Sequence, residues 1–115
     1  MTDKSIRMKS RLPLSLPAAR AVAKLGRDVA LARRRRRLTQ ASLAERAGIA
    51  RKTLTRLESG DAGVSLENLA RVLFVLGAIA PLEQLLDTPA DHAGLIMMNE
   101  QLPERVRARK PPRAL

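Results

Sequence analysis

The sequence predicts an all-α domain: five helices around a helix-turn-helix, with one short strand near the C-terminal end. Three observations carry this. Apolar residues between Pro17 and Leu86 recur three and four apart, the spacing of one helix face, and not two apart as in a half-buried strand. Each periodic segment is bounded by helix punctuation. Pro17, Thr39, Ser65 and Pro81 stand at the starts, and Gly48, Gly60 and Gly77 at the ends. Finally, Gln40 to Ser59 (QASLAERAGIARKTLTRLES) divides at Gly48 into two short amphipathic pieces.

In chain order, residues 1–16 show no period and carry Lys4, Arg7, Lys9 and Arg11, which reads as a flexible basic arm. The helix-turn-helix domain is expected over 17–88. Its first helix runs from Pro17 to about Arg36, with Ala18, Val22, Leu25, Val29 and Ala32 in one stripe. Thr39 caps a second helix, Gln40–Ala47; its side-chain oxygen can take an amide the first turn leaves unpaired. The third covers Arg51–Glu58. The fourth, Leu66–Leu76, has Ser65 as cap, Glu67 in its electropositive first turn, and Leu66, Leu69, Ala70, Val72, Leu73 and Leu76 at core spacing. Pro81 opens a fifth, with Leu82, Leu85 and Leu86 facing inward. Residues 89–115 form a C-terminal extension. In it the short apolar run Leu95–Asn99 is expected as a strand, over 95–98, or as a docking segment, and with the fifth helix it is a candidate dimer interface, ahead of a basic, proline-bearing tail.

Charge is unevenly placed. The net formal charge is +11. Residues 1–37 hold twelve Lys/Arg against two Asp, residues 38–88 five against six, and residues 89–115 five against three. A near-neutral centre with basic flanks points to a polyanionic partner; the plain alternative is a solubilising terminus. There is no Cys, hence no disulfide, no thiolate metal site and no cysteine nucleophile. His92 is the one histidine and has no ligand cluster near it. With no Gly-rich phosphate loop and no nucleophile–base pairing, neither an enzyme nor a cofactor is expected. No apolar run approaches the ~20 residues of a membrane span, and the first residues lack the apolar core of a secretory signal. A cytoplasmic protein with no membrane partner is therefore expected.

The central stretch meets the packing demands of two helices joined by a tight turn. Ala44 is small where the second helix crosses the first, Gly48 tolerates a left-handed turn, and Leu43, Ala47, Ile49, Leu54 and Leu57 can lock both helices to a core. Counted at about 100° per residue from Arg51, the outward arc of the Arg51–Glu58 helix holds Thr55, Ser59, Lys52 and Arg56 within about 140°. Leu54 and Leu57 occupy the inward arc, and Thr53 lies on the edge, where a phosphate contact fits. Arg51, Lys52 and Arg56 are therefore candidates to divide base and phosphate contacts in a DNA major groove. Glu58 falls inward, and Arg33 falls within the apolar stripe of the first helix. A buried guanidinium needs an anion, so an Arg33–Glu58 ion pair is expected between these helices. The run Arg33–Arg37 divides between solvated charge and phosphate contact.

Thr39-Gln40-x-x-Leu43-Ala44-x-x-Ala47-Gly48-Ile49 followed by Thr53-Leu54-x-x-Leu57-Glu58-x-Gly60 resembles the Xre/Cro-type phage-repressor family over roughly residues 25–87. The resemblance implies a five-helix repressor-like domain bound to double-stranded operator DNA as a homodimer. It also implies a phosphate- and base-proximal role for Gln40 and base-reading positions at Arg51, Lys52 and Arg56. Two positions depart from the pattern. Ala50 stands where a Ser or Thr cap is usual, and Arg37 where a glycine usually ends the first helix. A narrower likeness, GDAGVSLENLARVLFVLG and the LPERVRARK tail, is similar to HipB-type antitoxins. It implies an autorepressor whose partner is a HipA-like kinase toxin. The alternatives are a stand-alone Xre-type regulator and a basic RNA-binding protein. The last is disfavoured because single-stranded RNA readers stack bases on aromatics, and Phe74 is the only aromatic residue.

Overall fold

A computed structural model describes residues 12–88 and 91–101. Its elements are α1 (Leu16–Arg35), α2 (Gln40–Ala47), α3 (Arg51–Glu58), α4 (Leu66–Val75), α5 (Ile79–Glu83) and α6 (His92–Gln101), with no strand among the described residues. The chain folds as two compact units, one through Gly77 and one from Ala78 onward.

The first unit is built by local chemistry that its sequence dictates. Ser15 accepts from the Ala18 amide and Pro17 sits in the first turn, so α1 starts with one orphan donor satisfied and one removed. Thr39 accepts from Ser42 N at 3.0 Å and Ser65 from Asn68 N at 3.1 Å, capping α2 and α4. Gly48 closes α2 at φ 74°, a left-handed conformation that costs a glycine nothing. The end of α1 is less comfortable. Arg37 takes φ 57° so that the Leu38 amide can return to Arg33 O at 3.1 Å, a helix stop usually made by glycine. Ala50 supplies no side-chain bond to α3, whose first turn is uncapped.

Val29, Leu43, Ala44, Ala47, Leu54, Leu57, Val72 and Leu76 form the core, one or two from each of α1, α3 and the α4 end and three from α2. α2 packs on α3 and α4, and α1 packs on α3. Gly26 sets the last of these. A Cβ there would collide with Leu57 O and would stand 2.9 Å from Glu58 O and 3.0 Å from Gly60 N. The backbone of α1 thus lies directly on the carbonyl end of α3. α4 is apolar on more than one face, and its inward face is narrower than the spacing suggests. Val72 is buried, while Leu66 (71% exposed) and Phe74 (73%) face solvent.

In the second unit the sequence expectation is corrected. The stretch 95–98, expected as a strand at a dimer interface, lies inside helix α6. The reason is Asp91, whose Oδ1 accepts the Gly94 amide at 2.9 Å while its carbonyl accepts from Leu95 N at 2.9 Å. An aspartate at that position starts a helix, and Leu, Met, Glu and Gln carry it on. α5 likewise starts at Ile79, before Pro81, which the first turn tolerates. Leu85 and Leu86, expected inward, are exposed.

Candidate nucleic-acid interface

α3 presents its polar arc to solvent because Leu54 and Leu57 are held in the core at 0% and 5% exposure. Arg51 and Lys52 are exposed, and neither side chain has a hydrogen-bond or ion-pair partner among the described residues. Thr53 is half-buried, and Thr55, Arg56 and Ser59 are exposed.

Behind this arc runs a continuous polar chain. Arg33 grips Glu58 with both prongs, Nε to Oε2 at 2.7 Å and Nη2 to Oε1 at 3.0 Å. Its third nitrogen donates to Leu38 O at 2.9 Å. The pair is shielded, with 12% of the Arg33 side chain and 7% of the Glu58 side chain exposed. Glu58 Oε1 also accepts from Gln40 Nε2 at 2.9 Å. The Thr55 hydroxyl lies 3.2 Å from Gln40 Oε1 and 3.1 Å from Arg51 O; its single proton serves one of them at a time. Gln40 at the start of α2 is thereby fixed to α3, and one of its two amide N–H groups is without a partner among the described residues.

Arg56 is restrained differently. Its Nε donates to Asp61 Oδ2 at 2.7 Å, and Asp61 Oδ1 accepts the Gly63 amide at 2.7 Å. The Arg56 hydrogen bond first, and the Gly63 amide second, hold the Asp61 carboxyl below the usual range for aspartate. Arg56 therefore meets any ligand with part of its charge already answered. Ser59 donates its hydroxyl proton to Arg56 O at 2.9 Å, which leaves it acceptor capacity only.

The five-arginine run sorts into separate tasks. Arg33 is in the ion pair. Arg36 closes two helix ends, donating to Ala32 O at 2.7 Å and Leu76 O at 2.9 Å. Arg34 is exposed. Together with Arg27, Ala30 and Leu31 it forms one side of an open groove of about 480 Å³ whose other side is Gln40, Thr55, Glu58 and Ser59. The groove and Asp61 escaped the sequence reading. An aspartate five residues after an arginine, across a glycine turn, was the signal for the latter.

A short helix offering cations and hydroxyls, seated behind a glycine turn on a helix that anchors it, has the geometry of a DNA-reading element. Residues 29–83 match the Helix-turn-helix family. The match runs from the second half of α1 through α5. It supports a DNA-binding transcription regulator of Xre/Cro type, and the family is a regulatory one, not a family of enzymes. No curated protein matches the chain. Among the described residues, no helix is long and apolar enough to cross a membrane.

Proposed function

We propose that the protein is a sequence-specific transcriptional repressor that reads double-stranded operator DNA with α3, as a homodimer in the cytoplasm. One observation carries this: Arg51 and Lys52 stand free and exposed at the start of α3, beside a Gln40 that the Glu58–Thr55 bonds hold in place. Arg carries a planar fork that fits guanine O6 and N7, and Lys a point donor to the same edge. Thr53 sits at the rim for a phosphate, and Thr55, Arg56 and Ser59 complete the arc. One such helix covers few base pairs, so specificity calls for a two-fold partner on a second half-site about 34 Å away.

The finer reading, an antitoxin and autorepressor paired with a HipA-like kinase toxin, rests on the Gly60–Gly77 likeness. The stand-alone regulator is its alternative. A mobility-shift titration against operator fragments selected from a random pool tests the core proposal. Arg51→Ala and Arg56→Ala should each weaken selected sites by about 1–3 kcal/mol and relax preference at one position. An unchanged affinity in the Arg51→Ala, Lys52→Ala, Arg56→Ala variant would refute it. Co-expression with the neighbouring open reading frame separates antitoxin from stand-alone regulator, since only the former retains a kinase on purification.

A further inference from the structure

Arg20, Arg27 and Arg34 stand seven residues apart along α1. At 1.5 Å per residue this places them about 10 Å from one another along the axis, and a heptad step turns only about 20° around it. All three are exposed and share one face. Among the described residues none has a carboxylate within ion-pair reach. The only acid in α1, Asp28, is taken by Lys24 at 2.7 Å. This face borders the groove described above, with Arg27 and Arg34 on one side and Gln40, Thr55 and Ser59 of the α2–α3 unit on the other. The carboxylate in that groove, Glu58, is neutralised by Arg33.

We propose that Arg20, Arg27 and Arg34 form a sequence-independent track for the phosphate backbone of the same duplex whose bases α3 reads. The inference rests on the proposed DNA reading and extends the interface beyond the helix-turn-helix. A helix seated in a major groove about 12 Å wide is flanked by phosphate strands on both sides. α1 lies directly on the carbonyl end of α3, where Gly26 admits it, so its arginine face meets the strand beyond that end. Guanidinium groups suit phosphate oxygens in pairs, and their contact adds affinity without sequence preference.

The test uses the full chain with Arg20→Ala, Arg27→Ala and Arg34→Ala combined. Alanine favours helix at exposed positions, and circular dichroism checks that α1 persists. Binding to a random-sequence duplex is followed by fluorescence anisotropy across a salt series. The slope of log affinity against log salt should shrink by about 0.9 per arginine per bound chain, with affinity falling on the order of a hundredfold near ~0.1 M salt. The loss should be equal on selected and random duplexes, and Arg71→Ala, on α4 and paired with Glu67, should change little. An unaltered slope, while the Arg51→Ala, Lys52→Ala, Arg56→Ala variant still loses binding, overturns the track and leaves the repressor reading intact. An unaltered slope with loss of a co-purifying acidic protein overturns it in favour of a protein ligand. Failure of the wild-type chain to bind any duplex overturns both.

Discussion

Gln40 Nε2 donates to Glu58 Oε1 at 2.9 Å, so the carboxylate that holds α1 to α3 also orients the first side chain of α2. The fold and the proposed interface share one anion. Removing it should therefore damage both, and in separable ways. Glu58→Ala strands a shielded guanidinium and should cost about 3–5 kcal/mol in denaturant unfolding. Replacing Arg33 and Glu58 together by Met and Leu should restore most of that stability, because no charge is left buried. Gln40 would still have lost its anchor, so the double variant should fold and yet bind selected DNA less tightly than the parent. If its affinity equals the wild type's, the orienting role of Glu58 is wrong.

Gly26 sets how near α1 comes to α3. Gly26→Ala gains helix propensity of about 1 kcal/mol in an unstrained site. Here the new methyl meets the Leu57 and Glu58 carbonyls, which are backbone and cannot swing away. Overpacking of this kind typically costs about 1–3 kcal/mol, so net destabilisation is expected by thermal or urea unfolding. A stabilised variant would mean that the helices part freely at this crossing.

Arg37 holds φ 57° without being glycine. Left-handed backbone costs an ordinary residue about 1–2 kcal/mol, partly offset by the greater entropy of an unfolded glycine. Arg37→Gly should raise stability by about 0.5–1 kcal/mol, seen as a higher urea midpoint with an unchanged slope.

Much of this was readable in the residues, and the failures have physical causes. The helix angles alone put Arg33 in an apolar stripe and Glu58 on the inward arc, and the side chains meet. Gly48 and Thr39 marked the turn because only particular residues suit a left-handed stop or an N-cap. Leu66, at core spacing in the sequence, is exposed because α4 is apolar around most of its circumference, and spacing cannot choose among faces that all look buried. Leu95–Met98 reads equally as strand or helix because four apolar residues are too few to separate a period of 2 from one of 3.6. Asp91, which settles the matter as a helix start, reads in sequence as a loop residue. The Arg20–Arg27–Arg34 face was hidden for another reason: the adjacent run Arg33–Arg37 drew notice to neighbours in sequence that the helix sends in different directions.

Asp61 offers the test of how Arg56 is used. Its carboxyl is held below the ordinary range by Arg56 and by the Gly63 amide, while the unfolded chain titrates near about 3.9. The native state therefore binds this proton more weakly than the unfolded state does. Its contribution to stability is present above the unfolded value and is lost as pH falls through the lower folded value. Both groups keep contact with water, so the contribution is small. Asp61→Asn should lower stability slightly at neutral pH and flatten the acid limb, so that the variant and the parent converge below about pH 4. Its effect on binding should be larger. In the proposed complex Asp61 would compete with phosphate for Arg56, and its neutralisation would remove a negative charge from beside the proposed interface. Asp61→Asn should tighten binding to random duplex at neutral pH and steepen the salt dependence. If Asp61 instead positions Arg56 for a base, the same variant weakens selected sites while random binding still improves. Anisotropy on the two duplexes, run side by side, tells which role the aspartate has.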